Sequence, residues 1–242
     1  MRTIRCHVDA PLSVGATATL SETATGHVVR VLRLGVGDPL VLFNGDGCDY
    51  DARLVSAGKR GAEAEVTGAR ALANESPLAI TLAQGIARGE KMDLVLQKAT
   101  ELGVAAFAPV NTERTEVKLD AERAAKRLAH WQGVLVAACE QSGRARVPAL
   151  AVPAALSQWA GGEHAGLRLM LDPEGELSLA DLPAVDAVTL VVGPEGGLSE
   201  RDLATLRAAG FRGLRLGPRI LRTETAGLAA IAALQSRLGD LS

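Results

Sequence analysis

The chain has 242 residues, 48% of them hydrophobic, and carries a formal net charge of −2 at pH 7. This composition is sufficient for one large domain or two smaller ones, and it excludes an intrinsically disordered chain. Only 2% of the residues are aromatic, which argues against RNA binding by stacking successive bases on an aromatic sheet. Any contact with RNA should therefore depend on arginine side chains and on the backbone.

The three cysteines, Cys6, Cys48 and Cys139, are far apart in the sequence. Their spacing predicts neither a disulfide framework nor a zinc site, and it fits a reducing compartment. The first residues lack the apolar segment of a signal peptide, and no stretch is long enough to span a bilayer. The four histidines have no metal-ligand spacing. We therefore expect a soluble cytoplasmic protein with no metal and no membrane partner.

Short β segments separated by turns are predicted for the first 72 residues, at 16–20, 39–43, 50–56 and 63–69. Asn44-Gly45-Asp46-Gly47 is a strong turn signal, because Asn and Gly tolerate the positive φ of tight hairpins. A short helix over 26–33 would place His27, Arg30 and Arg33 on one face. These features indicate a small β-barrel or sandwich.

A polar stretch at 73–77 that contains a proline predicts a linker, and strands then alternate with helices. Strands are predicted at 78–83, 104–110, 167–171, 185–192 and 213–216, and helices at 91–102, 120–141, 199–209 and 223–238. Such alternation is typical of a mostly parallel sheet. We therefore predict two domains, 1–72 and 73–242.

Two helix starts carry recognisable capping residues. Ser199 and Asp202 have the spacing of a capping box, in which each side chain satisfies a backbone amide of the first turn. Thr223 can cap the last helix, and Glu224 then lies in the first turn, where a carboxylate is favourable.

Three loops follow predicted strands and combine glycine with proline or charge: 172–175, 193–197 and 217–219. Ligands of open α/β sheets bind beyond the carboxyl ends of the strands, where such loops meet. No dinucleotide or phosphate-binding glycine motif is present, and Glu195 would repel a phosphate. A cationic cofactor such as S-adenosylmethionine fits better. The alternative is that these loops are ordinary strand-to-helix turns.

Six ordered segments resemble the RsmE family, the 16S ribosomal RNA uridine N3-methyltransferases of bacteria. They are Gly89-Glu90-Lys91-Met92 with Gln97–Gly103, then Glu113-Arg114, Ala137–Arg144, Gly193-Pro194-Glu195-Gly196-Gly197 and Leu216–Ala226. The segment 27–33 with Gly37-Asp38 also resembles the small PUA-like domain of that family. The resemblance covers nearly the whole chain.

This resemblance implies a SPOUT-type α/β domain with a trefoil knot, preceded by a PUA-like β-barrel, and a homodimer. It implies methyl transfer from S-adenosylmethionine to N3 of a uridine, number 1498 in the usual 16S rRNA numbering, during ribosome biogenesis in the small subunit. The cofactor-binding residues that we expect are Leu169, Leu171, Gly193, Pro194, Glu195, Gly196, Leu216, Gly217, Arg219, Ile220, Leu221 and Thr223.

Methyl transfer to uridine N3 requires a route for the proton that this nitrogen loses, or cationic groups that stabilise the anion, and it needs no metal. Our hypothesis is that Arg144 and Arg222 hold the uridine or its phosphate, while Glu140 or Glu224 completes the catalytic site. The simpler interpretation is that the arginines are solubilising surface residues and that Glu224 stabilises its helix.

Arginines Arg2, Arg5, Arg30, Arg33 and Arg114 are the expected contacts to rRNA phosphates. Small residues in the last helix, Ala230 and Ala233 among them, suit either packing on the sheet or a dimer interface. Two other functions compete with methyl transfer. One is a ribosome assembly factor that binds without catalysis, and the other is a nucleotide-dependent enzyme, which the missing phosphate loop disfavours.

Overall fold

The computed structural model describes residues 4–58, 61–116 and 121–241. Contacts divide the chain into two compact units. The first comprises Met1–Glu75 and Val136–Val147, and the second comprises Ser76–Leu135 and Pro148–Ser242. The predicted division after residue 72 assigned the segment 136–147 to the second domain. In the structure this segment packs with the first.

The first unit contains a five-stranded sheet in the order β1-β3-β4-β5-β2. Its strands are β1 (Arg5–His7), β2 (Thr17–Thr19), β3 (Pro39–Phe43), β4 (Cys48–Gly58) and β5 (Gly61–Ala71). β1 pairs with β3 in parallel, and the other pairs are antiparallel. β1 was not predicted, because three residues that include Arg5 and His7 carry no apolar alternation.

The core of the first unit lies on one face of this sheet. Side chains alternate between buried and exposed along β4 and β5, so that Leu54 and Val66 point inward. They pack with Leu20, Val28 and Leu42, each at most 4% exposed. The alternating β segments predicted from the sequence thus form one half-buried sheet.

A short helix, α1 (Glu22–Thr25), precedes a π-helical segment at Gly26–Val31. The Ser21 hydroxyl caps α1 by accepting from the Ala24 amide at 3.1 Å. The helix therefore begins four residues before the predicted start at 26 and ends before Arg33, whose φ of 57° is left-handed. The prediction that Arg33 shares a helical face with Arg30 is wrong.

The second unit contains a seven-stranded sheet in which every pair is parallel, whereas the sequence predicted a mostly parallel one. The order is β12-β10-β11-β6-β7-β8, with β9 also paired to β7. The strands are β6 (Ala79–Gly85), β7 (Ala106–Asn111), β8 (Ala149–Leu150), β9 (Ala154–Ala155), β10 (Leu167–Leu171), β11 (Ala187–Val192) and β12 (Arg212–Leu214).

The remaining helices are α2 (Lys91–Glu101), α3 (Ala121–Ser142), α4 (Leu156–Ala160), α5 (Glu200–Ala208) and α6 (Thr223–Leu238). All belong to the second unit except the end of α3, which from residue 136 onward belongs to the first. The predicted start of α3 at Asp120 lies outside the described residues. β8, β9 and α4 were not predicted, since two to five residues are too few for a periodic pattern. Among the helices of the described ranges, none is both long and apolar enough to cross a membrane.

The capping box of α5 is confirmed. The Ser199 hydroxyl accepts from the Asp202 amide, and the Asp202 carboxylate accepts from the Ser199 amide, both at 3.0 Å. The predicted cap of α6 is wrong. Arg222 occupies the capping position without a side-chain bond, and Thr223 is already the first helical residue.

Candidate functional site

A cavity of about 560 Å³ lies in the second unit, beyond the carboxyl ends of β10 and β11. All three predicted loops contribute to it, with Leu171, Asp172 and Pro173, then residues 192–198, and residues 214, 216, 217 and 219–224. A volume between roughly 300 and 1,000 Å³ is typical of small-molecule sites. The parallel sheet therefore holds a ligand-sized cavity where its topology predicts one.

Nearly all of the predicted cofactor-binding residues line this cavity. They are Leu171, Gly193, Pro194, Glu195, Gly196, Leu216, Gly217, Arg219, Ile220, Leu221 and Thr223. Leu169 does not, and its side chain is completely buried in the core. The physical reason is that Leu169 lies two residues inside β10, roughly 7 Å from the strand end that the cavity adjoins.

The loop 193–197 turns tightly because its glycines permit close backbone packing. A Cβ on Gly193 would lie 2.8 Å from the Leu198 nitrogen, and Gly197 has a φ of 69°. The Gly197 amide donates to the Pro194 carbonyl at 2.9 Å. This geometry presents bare backbone to the cavity.

Glu195 is held by groups of its own unit. Its Oε1 atom accepts from the Arg88 backbone amide at 3.0 Å and from Nζ of Lys91 at 3.1 Å. Burial raises the pKa of this carboxyl, but the bonds from Arg88 and Lys91 outweigh it and hold the pKa below its usual 4.5. Its charge is already compensated by Lys91, so the expected attraction of Glu195 for a cationic cofactor is weakened.

The opposite wall comes from the segment 216–222, which has no regular secondary structure. Gly217 has a φ of 76°, and Ile220 is 80% exposed although it lines the cavity. Arg219 and Arg222 are also exposed at this wall. Apolar and cationic side chains thus meet solvent at the edge of the cavity.

Glu224 lies in the first turn of α6 and lines the cavity. Its Oε2 atom is buried and has no hydrogen-bond partner within the described part of the chain. Because a buried carboxylate oxygen without a partner is costly, a ligand group that donates a hydrogen bond would be stabilised there. Helix stabilisation alone does not account for this atom.

Arg114, predicted to bind RNA, also lines the cavity. Its side chain is exposed, and Nη1 donates to the Gly196 carbonyl at 2.9 Å.

Lys91 and Asp172 line the cavity too and were missing from the predicted set. Asp172 is buried, and Arg207 bonds its Oδ2 atom at 3.0 Å. Its position directly after a predicted strand was the signal that could have identified it.

Arg144 and Glu140, which we expected to be catalytic, belong to the first unit, whereas Arg222 and Glu224 belong to the second. The Arg144 side chain is 6% exposed and forms an ion pair with Glu75. Glu140 accepts from the His7 amide at 3.0 Å. Arg144 could bind uridine only if its ion pair with Glu75 opened. The geometry therefore argues for a structural role of Arg144.

The other predicted RNA-binding arginines differ in exposure. Arg5 is 9% exposed at its side chain, pairs with Asp49 at 2.5 Å and lies over the Phe43 ring at 4.9 Å. The Arg5 guanidinium is therefore bound inside the first unit, contrary to the expectation that it contacts phosphates. Arg30 and Arg33 are exposed. Arg2 lies outside the described residues.

No group of His, Cys, Asp or Glu in the described ranges is arranged to hold a metal ion.

Comparison with known proteins covers both units. Residues 74–235 match the model of an RNA methyltransferase domain, and residues 20–67 match that of an RNA methyltransferase PUA domain. The chain is 31% identical to ribosomal RNA small subunit methyltransferase E of Buchnera aphidicola, across 98% of both chains. It is 35% identical to the Mycobacterium bovis protein of the same name, over 94% of this chain and 89% of that one.

Two solved structures resemble the chain over the whole length of both partners. One is ribosomal RNA small subunit methyltransferase E from Neisseria gonorrhoeae bound to S-adenosylmethionine, with 41% identity and a TM-score of 0.92. The other is a protein from Legionella pneumophila in complex with the same cofactor, with 40% identity and a TM-score of 0.96.

Proposed function

Because the chain belongs to the RNA methyltransferase family that contains ribosomal RNA small subunit methyltransferase E, we propose that it methylates small-subunit ribosomal RNA with S-adenosylmethionine as the methyl donor. The observation that carries the proposal is the cavity formed by three loops at the carboxyl edge of the parallel sheet. The target that we propose is N3 of a uridine, as the family resemblance implies.

The residues of the cavity fit this cofactor in chemistry as well as in volume. Leu171, Leu216 and Ile220 offer apolar surface to an adenine ring, and the loop 193–197 offers backbone groups to its polar edge. The Oε2 atom of Glu224, which has no partner among the residues that the structure describes, suits an amino or sulfonium group, or a proton from the substrate. S-adenosylmethionine, when bound, supplies an electrophilic methyl carbon that needs no further activation.

The chain itself must then hold the uridine and accommodate the proton of N3. Arg222 is exposed at the edge of the cavity, where a planar guanidinium can bind a phosphate or a base carbonyl through two bonds. Glu224 lies two residues along the chain and can receive the proton directly or through water. We carry Arg222 and Glu224 forward as the catalytic residues, with Arg114 as a contact to RNA.

The resemblance supports three further parts of the proposal: a SPOUT-type trefoil knot, a homodimer and a cytoplasmic location. Ala230 is completely buried within the single chain, so a large residue there would disturb the fold itself. Ala233 is only half-buried and is the better probe. Sedimentation of Ala233→Trp should report a weakened dimer, and an unchanged profile at a wild-type melting temperature would count against this interface.

The decisive experiment uses small ribosomal subunits from a strain that lacks the enzyme. The protein is incubated with these subunits and labelled S-adenosylmethionine, and the methylated base is mapped. We expect one N3-methyluridine, at position 1498 in the usual numbering. Arg222→Ala should reduce transfer by roughly tenfold or more, the loss of one charged hydrogen bond, and exposed Arg201→Ala, outside the cavity, serves as control.

Two results would redirect the proposal. Binding of S-adenosylmethionine in calorimetry without transfer to any subunit would favour a non-catalytic assembly factor. If S-adenosylmethionine did not bind at all, the cofactor assignment would be wrong, and the proposed methyltransferase activity would be wrong as well.

A further inference from the structure

Gln84 is a buried polar residue at the end of β6, and neither the predicted site nor the cavity lining includes it. The residue is 1% exposed. Its Nε2 atom lies 2.9 Å from the Gly85 carbonyl, 3.4 Å from the Gly193 carbonyl and 2.9 Å from Oγ1 of Thr223. One amide therefore contacts the end of β6, the loop after β11 and the start of α6.

The Thr223 hydroxyl connects this amide to a residue that lines the cavity. Since Oγ1 accepts from Gln84, its own proton is directed to the Gly193 carbonyl, 2.6 Å away. The Gly193 oxygen thereby accepts from both side chains. Gly193 and Thr223 both line the cavity, so these bonds join the loop 193–197 to the start of α6 at the point where the loop and the helix meet.

The orientation of the amide is fixed by its surroundings. Two of the three neighbours of Nε2 are the carbonyl oxygens of Gly85 and Gly193, which only accept, so the NH2 group must face them. The Oε1 atom is buried without a partner in the described residues, 3.6 Å from the position of a Cβ on Gly227. A carboxylate in place of the amide would direct an oxygen toward two carbonyl oxygens.

The end of β6 and the loop 193–197 also meet directly through their backbones. A Cβ on Gly85 would lie 2.5 Å from the Pro194 nitrogen, so the end of β6 and the loop 193–197 are in direct backbone contact. On the side of α6, the Gln84 amide and the Thr223 hydroxyl both bond the Gly193 carbonyl of this loop.

We propose that Gln84 is a positioning residue for cofactor binding: its amide orients the Thr223 hydroxyl toward the Gly193 carbonyl and so holds the loop 193–197 against the start of α6. This inference rests on the proposed function. Loss of the amide leaves the Thr223 hydroxyl free to rotate away from the Gly193 carbonyl, which loosens the loop 193–197 against α6 and lowers affinity for S-adenosylmethionine, while the residues proposed to contact RNA remain in place. The expected kinetic signature is a higher KM for the cofactor with little change of kcat at saturation.

The test measures the Kd of the full-length protein for S-adenosylmethionine by calorimetry, with the denaturation midpoint of each variant as a check of folding. Gln84→Met keeps the length of the side chain and removes the amide, and about a tenfold weaker Kd is expected from one lost hydrogen bond. Gln84→Glu should weaken binding further because it adds repulsion. A Kd of Gln84→Met within twofold of wild type would overturn the proposal.

A double-mutant cycle tests whether the amide acts through the hydroxyl. Thr223→Val should weaken binding about as much as Gln84→Met, and the two together should cost little more than either alone. Additive losses would contradict the shared action. If the Gln84 variants fail to fold, the Kd of Thr223→Ser is compared with that of Thr223→Val. Serine keeps the hydroxyl and should keep the affinity for S-adenosylmethionine, whereas valine should lose it.

Equal affinities of the serine and valine variants would overturn the inference. Wild-type protein that bound no S-adenosylmethionine would instead overturn the proposed function, and that result is visible before any variant is compared.

Discussion

Nη2 of Arg144 lies 2.5 Å from Oε2 of Glu75, and Nε of Arg144 lies 3.1 Å from Oε1 of the same carboxylate. The pair is bidentate and the arginine is buried, so removing the arginine leaves a poorly solvated carboxylate. Arg144→Ala should lower the free energy of unfolding by about 3 kcal/mol, measured by urea titration. Exposed Arg222→Ala should change it by less than about 0.5 kcal/mol.

Arg144→Ala also distinguishes a structural role of Arg144 from direct contact with RNA. A protein with Arg144→Ala that unfolds at the wild-type urea concentration but loses methyl transfer would support direct contact with RNA. It would contradict the structural role that the ion pair with Glu75 indicates.

Glu195 should contribute stability that depends on pH. Its pKa is lowered in the folded state, so the contribution is fully present above the unfolded value near 4.5 and is lost as pH falls through the folded value. Glu195→Gln should therefore melt below wild type at about pH 7, and the gap should narrow as the pH is lowered below 4.5. A melting-temperature difference that stays constant across this range would show that the bonds to Lys91 and Arg88 do not matter.

Gly227 and Gly85 form a matched pair for testing the packing around Gln84. A Cβ on Gly227 would make ordinary contacts at 3.6 Å, and alanine is favoured in a helix interior, so Gly227→Ala should stabilise by up to about 1 kcal/mol. Gly85→Ala places its Cβ 2.5 Å from Pro194 and should destabilise the protein and weaken cofactor binding. Similar melting temperatures for both variants would contradict this account.

Arg30 and Arg33 are exposed, whereas Arg5 is held by Asp49. If the first unit binds rRNA phosphates, Arg30→Ala with Arg33→Ala should weaken RNA binding and flatten the plot of log affinity against log salt by roughly one unit per lost phosphate contact. Arg5→Ala should instead lower stability and leave that slope unchanged. A slope that responds only to Arg5 would reverse this assignment.

Local patterns in the sequence were sufficient for much of the fold and for the position of the cavity. The 3.6-residue periodicity of α2 and α6 and the apolar run of β11 predict these elements within two residues. The loop 193–197 could be located because glycine and proline directly follow a buried strand. Each of these signals lies within at most 16 consecutive residues.

The contacts that decide the roles of individual side chains are not local. Arg144 meets Glu75 across 69 positions, and Gln84 meets Thr223 across 139. No periodicity encodes such a pair, so an arginine within a family-like motif could not be distinguished from one that is buried in an ion pair. Thr223 was interpreted as a cap for the same reason, because its actual acceptor, Gly193, lies 30 residues away.

The discontinuous make-up of the first unit limits how the chain can be divided in the laboratory. A gene cut after Glu75 would omit Cys139 and Ala145, which cover Phe43, and would leave the Glu75 carboxylate without Arg144. Such a fragment would contain every strand of the five-stranded sheet and still expose part of its interior, which favours aggregation during expression. An isolated RNA-binding module would have to carry residues 136–147 as well, joined to the first 75 by a designed connection.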